Sequence, residues 1–215
     1  MSDNIKDQEM SDFKVKIEAK NFEQAQKSLS DLNLSTELDL YYQSFIKYSE
    51  GDLVKSRQLL EQSMGHGYYN FESIKALKVL KYDLNINSVE AENDWTDQLH
   101  LSLKTLPIDV VLSVISIMTL AISFLFIKKM FKSVLISALI LAAFSWFTYD
   151  LSKKDIYLSV EEVIVRNGPS KIFKEVQVLY PGMKFIVEKE FKNWKYISYP
   201  KSHRGWIERA KVLTL

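Results

Sequence analysis

The chain has 215 residues, with 28 Lys plus Arg against 27 Asp plus Glu, so no global field gathers nucleic acid or anionic lipid. It contains no cysteine, which excludes disulfides and thiolate chemistry and leaves the compartment open. The length allows one or two small domains beside the apolar middle of the chain.

Residues 1–11 open the chain as a polar, slightly acidic stretch without the apolar core of a signal peptide, and disorder is expected there. From 12 to 87 there is no Pro and little Gly, and apolar residues recur at helical spacing. Phe13 and Ile17, with Val15 beside them, mark one helix; Phe22, Ala25 and Leu29 mark a second. Leu38, Tyr41, Tyr42, Phe45, Ile46 and Tyr48 mark a third, and Leu53, Leu59, Leu60 and Met64 a fourth that ends at Gly65-His66-Gly67. A fifth runs from about Tyr69 to about Leu84. The short breaks between them predict antiparallel neighbours.

An internal echo links Lys20-Asn21-Phe22-Glu23-Gln24-Ala25 with Gly51-Asp52-Leu53-Val54-Lys55-Ser56: a turn, a hydrophobe, then a small residue three further on. This pattern resembles tetratricopeptide repeats, with Leu60 and Ser63 at further large and small positions, at an offset a little under the family's ~34 residues. Gln43 stands where that family has a large apolar residue. The resemblance implies a concave surface carrying Tyr41, Phe45 and Tyr48, able to grip a partner peptide. The same aromatics could instead fill the helical core.

Residues 88–106 read as a mixed, acidic juxtamembrane linker holding Trp95, Leu99, Leu101 and Leu103. Two uncharged runs follow, 110–127 and 133–149, separated by a turn at 128–132 with Lys128, Lys129 and Lys132. As helices they rise about 27 Å and about 25 Å, against a hydrocarbon core of roughly 30 Å. The expectation is a transmembrane hairpin of helices 107–127 and 133–149. Pro107 would open the first helix, and Trp146 and Tyr149 would lie at the headgroup layer. Ser113, Ser116, Thr119 and Ser123 form one hydroxyl stripe, and Ser133, Ser137, Ser145 and Thr148 another. Such stripes would face each other or a further membrane partner, unless they are scattered serines tolerated in lipid. The lysine-rich turn favours a cytoplasmic loop with both termini outside, in a two-pass membrane protein. Against this, the N-terminal region would have to cross without a visible export signal.

After a linker at 150–156 the period changes. Short β-branched and aromatic runs at 163–166, 176–180, 184–190, 194–199 and 205–207 are punctuated by Asn167-Gly168-Pro169-Ser170, Pro181-Gly182 and Tyr199-Pro200-Lys201-Ser202. So short a β segment buries a core only as a small, nearly closed barrel. Val163-Ile164-Val165-Arg166-Asn167-Gly168-Pro169-Ser170, Tyr180-Pro181-Gly182, Asn193-Trp194-Lys195-Tyr196-Ile197 and Arg204-Gly205-Trp206-Ile207 resemble, in order and spacing, the landmarks of bacterial SH3 domains. That resemblance covers 157–215 and implies a binding module, not a catalyst. Trp194, Tyr196, Tyr199 and Trp206 are its candidate ligand aromatics, with barrel core as their other reading.

No catalytic constellation is visible. His66, His100 and His203 lie in three separate segments without metal-ligand spacing, and no phosphate-cradling loop or nucleophile elbow occurs. Glu161 and Glu162 point to opposite faces of an extended chain. No enzyme activity, metal or cofactor is expected.

Helical repeats, two membrane spans and an SH3-type barrel, in that order, make a multidomain α + β membrane protein. This order resembles the BatE proteins of Bacteroides aerotolerance operons. The resemblance implies a non-enzymatic adaptor anchored in the bacterial inner membrane, working in the cell envelope beside von Willebrand factor A-type membrane proteins and a MoxR-type ATPase. A peptidoglycan-binding anchor is the alternative it leaves open.

Overall fold

The computed structural model describes residues 11–13, 15–105, 108–127 and 131–215. Of the segment 1–11 expected to be disordered, residues 1–10 lie outside the described residues, as does most of the lysine-rich turn, whereas residue 11 is helical. Helical residues 11–13 and 15–18 precede α1 (Phe22–Asp31), α2 (Thr36–Glu50), α3 (Leu53–Gly65) and α4 (Phe71–Asp83). Each boundary has a local cause. The Asn21 side chain accepts from Gln24 N at the start of α1, and the Asp52 side chain from Lys55 N at the start of α3. Asn70 and Ser73 form a reciprocal capping box on α4. Gly51 closes α2 in the left-handed region at φ 87°, where a side chain would be strained.

The small residues of the internal echo sit between helices. Ser56 Oγ donates to Ser44 O at 2.7 Å, and Ser63 Oγ donates to Glu37 O at 2.5 Å, so α3 hangs on the backbone of α2. Ala25, fully buried, packs with Phe13, Leu29, Leu32 and Ile46. Tyr41, Leu60, Met64 and Leu80 make a second cluster joining α2, α3 and α4.

The segment expected to be a linker is structured. It holds α5 (Asn87–Ala91) and α6 (Trp95–Thr105), followed by α7 (Ile108–Ile127) and α8 (Phe131–Ser152). Here the membrane expectation is overturned: among the described residues, no helix is long and apolar enough to cross a membrane. A span requires about 20 consecutive apolar residues, and the two uncharged runs, 110–127 and 133–149, each fall short of that length. The end of α8 is committed to protein contacts as well. Phe147 meets the His100 ring of α6 edge-on at 5.0 Å and joins a cluster with Leu101, Ile156 and Ile186. The two-pass placement, the extracytoplasmic termini and the aromatic belt fall with the hairpin. Lys153 instead lies 4.2 Å over the Tyr149 ring.

The two hydroxyl stripes separate. Ser137, Ser145 and Thr148 are half-buried, whereas Ser113, Ser116, Thr119 and Ser123 are exposed. Ser116, Thr119 and Ser123 each donate to a carbonyl one turn back in α7. The Ser133 side chain lies outside the described ones.

The C-terminal unit is a seven-stranded antiparallel sheet, β1 (Asp155–Ser159), β2 (Val163–Arg166), β3 (Glu175–Leu179), β4 (Lys184–Phe191), β5 (Trp194–Tyr199), β6 (Gly205–Glu208) and β7 (Val212–Thr214), in the order β3-β2-β6-β5-β4-β1-β7. Five strands were expected; β1 and β7 are additional, and β1 begins inside the expected linker. Each of the two is short, and they pair with one another, β1 also with β4. Val163, Val165, Leu179, Phe185, Ile197 and Ile207, from five strands, share one buried cluster, so the sheet curls around its own apolar face. Gly205 permits that curl. At φ 155° it lies beside β2, and a Cβ there would come within 2.7 Å of Arg166 O.

Helices and sheet share a core. Ile86, just before α5, is fully buried in the sheet's own cluster, with Leu84 and Val89 packed against it. Gly182, at φ 81°, leaves the space that Leu84 occupies; a Cβ there would lie 2.7 Å from Leu84 Cδ1. Beside this plug runs a buried ionic network. Arg57 of α3 donates through Nε to Glu61 Oε1 (2.8 Å), and through Nη1 to Glu90 Oε1 (2.8 Å) and Gly182 O (2.7 Å). Lys184 of β4 donates to Glu61 Oε2 at 2.7 Å, and Lys81 pairs with Glu90 Oε2 at 2.7 Å. Burial opposes the charge on Glu61, but Lys184 and Arg57 hold its pKa down at about 2. Burial likewise opposes charge on Glu90, and Arg57 and Lys81 hold it below the usual carboxylate range. Buried charges so placed give the interface one register, because any other docking would strand them.

Candidate partner-binding grooves

Tyr41, Phe45 and Tyr48 recur at i, i+4 and i+7 on α2, so they share one face. In the fold that face meets α4 across an open groove. A cavity of about 460 Å³ is lined by these three residues together with Leu60, Phe71, Val79 and others of α3 and α4. Tyr41, 6% exposed, is the floor; Phe45 (37%) and Tyr48 (38%) form one wall. Phe71, at 79% exposure, stands on the opposite wall with its ring in solvent. An exposed ring facing a preformed apolar trough is costly to leave bare and is the usual mark of a docking surface.

The aromatics are held in place. Tyr41 packs edge-on against Phe45 (5.0 Å between centroids) and Tyr42 (5.4 Å), and tilted against Tyr68 (4.6 Å). Burial, with a smaller effect of the Glu72 carboxylate, pushes the Tyr41 phenol up to about 12, so it stays neutral. Tyr48 OH donates to Asp83 Oδ2 at 2.7 Å, which ties the rim of α2 to the end of α4 and raises the Tyr48 pKa. The groove partners on α4 were not singled out from sequence. Phe71, Ala76, Val79 and Leu80 carry a periodic signal, but α4 bears apolar residues on several faces and the pattern does not choose among them.

In the sheet, Trp194, Tyr196, Tyr199 and Trp206 are all half-buried and lie outside the central cluster. Alternation explains it: on β6 Gly205 and Ile207 face inward, so Trp206 must face outward. Trp206 lies 5.3 Å from Tyr196 between centroids, and the pair borders a shallow cavity of about 240 Å³ with Glu188, Lys189 and Arg204. Trp194 stands apart from them. It lines a wider, more polar depression of about 870 Å³ with Pro169, Lys171, Asn193 and Arg209, bridged by a Lys171–Glu208 ion pair at 3.1 Å.

Tyr199 is drawn into the helical side. His100 of α6 stacks on its ring at 4.1 Å and 16°, and next to it the Asp97 carboxylate accepts from Lys201 N at 2.9 Å. The structure thus divides the four sheet aromatics that the sequence groups together among three places: the Trp194 depression, the Tyr196–Trp206 cavity and a Tyr199 face covered by α6. No protein-family model matches the chain, and neither the curated proteins nor the solved structures contain a match.

Proposed function

We propose that the chain is a non-enzymatic adaptor whose helical unit holds a segment of a protein partner in the α2–α4 groove. The observation that carries this is the convergence of Tyr41, Phe45 and Tyr48 with Phe71 and Val79 on one preformed apolar cavity of about 460 Å³. Helical hairpins use such concave, aromatic-lined faces for polypeptide segments, where two or three anchors supply most of the affinity. The Trp194 depression offers a second docking surface at a fixed distance from the first, because α3 is pinned to the sheet by Arg57 and Glu61. Two weak contacts presented together reinforce each other through effective concentration.

Site-resolved photo-crosslinking tests this. A photoreactive phenylalanine analogue is placed at Phe45, or for comparison at Lys27, which is exposed on α1 and does not line the groove. Irradiation in the native host is expected to give a discrete adduct from the Phe45 position and little from Lys27. Equal labelling at both positions, or none at Phe45, would overturn the groove as the partner site.

A further inference from the structure

Next to the groove lies a second cavity of about 340 Å³, sharing Tyr41, Phe45 and Glu72 with the first. Its walls are aromatic, from Phe13, Tyr41, Tyr42 and Phe45, and its mouth carries two carboxylates, Glu18 and Glu72. The rings stand at angles to one another: Phe13 to Tyr42 at 5.5 Å and 78°, Tyr41 to Tyr42 at 5.4 Å and 71°, Tyr41 to Phe45 at 5.0 Å and 78°. Rings tilted in this way present faces as well as edges to the space between them, and an aromatic face attracts a cation.

Charge at the mouth has the matching sign. Glu72 lies close enough to both Tyr41 and Tyr42 to raise the pKa of each, after burial and, for Tyr42, after Tyr68. Neither Glu18 nor Glu72 makes an ion pair among the described residues. Lys16, in the helical residues before α1, is turned to Asp12 (2.5 Å) and Ser28 (2.6 Å) instead. Lys75 lines the first cavity and not this one.

We infer that this second cavity receives the cationic end of a lysine or arginine side chain of the partner segment, while an apolar residue about one helical turn away fills the α2–α4 groove. The inference rests on the groove reading above and adds the chemistry of the partner: a basic residue beside an apolar anchor. An acidic segment would meet two like charges and is excluded from the same seat. The long alkyl stem of lysine suits the aromatic walls, leaving only its head at the carboxylates.

The test uses the full chain, ¹⁵N-labelled, titrated with two alanine-based helical peptides in NMR. Both carry two leucines one turn apart; one has a lysine a further turn along and the other has norleucine there. The lysine peptide is expected to bind about fivefold more tightly, from cation–π and partly exposed ion-pair contributions together, with amide shifts at Phe13, Tyr42 and Glu72. Glu18→Gln is expected to reduce that preference while leaving norleucine-peptide affinity unchanged; Glu18 is exposed and does not line the α2–α4 groove. Equal or tighter binding of the norleucine peptide would overturn the cation pocket and leave the groove standing. A preference undiminished in the Glu18→Gln variant would likewise overturn the acidic mouth of the cation pocket. Binding of neither peptide would count against groove and pocket together.

Discussion

Arg57→Ala is expected to lower the stability of the folded chain by about 3–5 kcal/mol, the usual cost of removing one member of a buried charged pair. Arg57 is fully buried, and its guanidinium contacts three elements: Glu61 on its own helix, Glu90 of α5 and the Gly182 carbonyl at the β3–β4 turn. Without it, the Glu90 carboxylate keeps only Lys81 and the Gly182 carbonyl loses its side-chain donor. Alanine also leaves a void where the side chain had been. The measurement is the urea midpoint by circular dichroism, with the slope checked for an unchanged exposed surface. A loss below about 1 kcal/mol would mean that the network is solvated and holds little.

Acid should loosen the same interface. Glu61 has a folded pKa of about 2, against an ordinary value of 4.5. A carboxylate with a depressed folded pKa contributes stability that is complete above the unfolded value and is lost as pH falls through the folded one. The window is therefore from about pH 4.5 down to about pH 2, and the contribution lost is about 3 kcal/mol. Glu90, also depressed, acts in the same direction. Urea midpoints measured from pH 7 to pH 2 are expected to fall steeply in that window. In Glu61→Gln, which starts less stable at neutral pH because Lys184 loses its carboxylate and Arg57 one of its two, the fall should be shallower. Parallel curves for the two proteins would place the acid sensitivity elsewhere.

Much of the secondary structure was legible because local signals agreed. The starts of α1, α3 and α4 carry Asn or Asp caps, α2 ends on Gly51, and the central strands lie between Gly- and Pro-bearing turns. The small residues Ala25, Ser56 and Ser63 were readable as sites of close helix approach, and they are buried there. The aromatic triad of α2 was legible as a face, although its partner wall on α4 was not.

What sequence could not reveal was long-range. Arg57 and Glu61, four apart on a helix, look like any solvated surface pair; only the return of Lys184, far along the chain, makes them a buried joint. Ile86 falls just past the fifth expected helix, where nothing marks it, yet it plugs a sheet that begins near residue 155. Tyr199 looked like an open aromatic on a turn, and α6 covers it through His100. The apolar stretches of α7 and α8 suggested membrane spans by composition alone. Composition carried no sign that the end of α8 would pack on α6, as Phe147 does.

The fixed geometry between groove and sheet is most directly tested by electron–electron distance measurement. The chain has no cysteine, so a single pair introduced at Lys27 and Lys192, both exposed, takes spin labels uniquely. A helical unit locked to the sheet through Arg57, Glu61 and Lys184 predicts one narrow distance distribution at neutral pH. A broad or multi-peaked distribution would contradict it, showing two units that move independently.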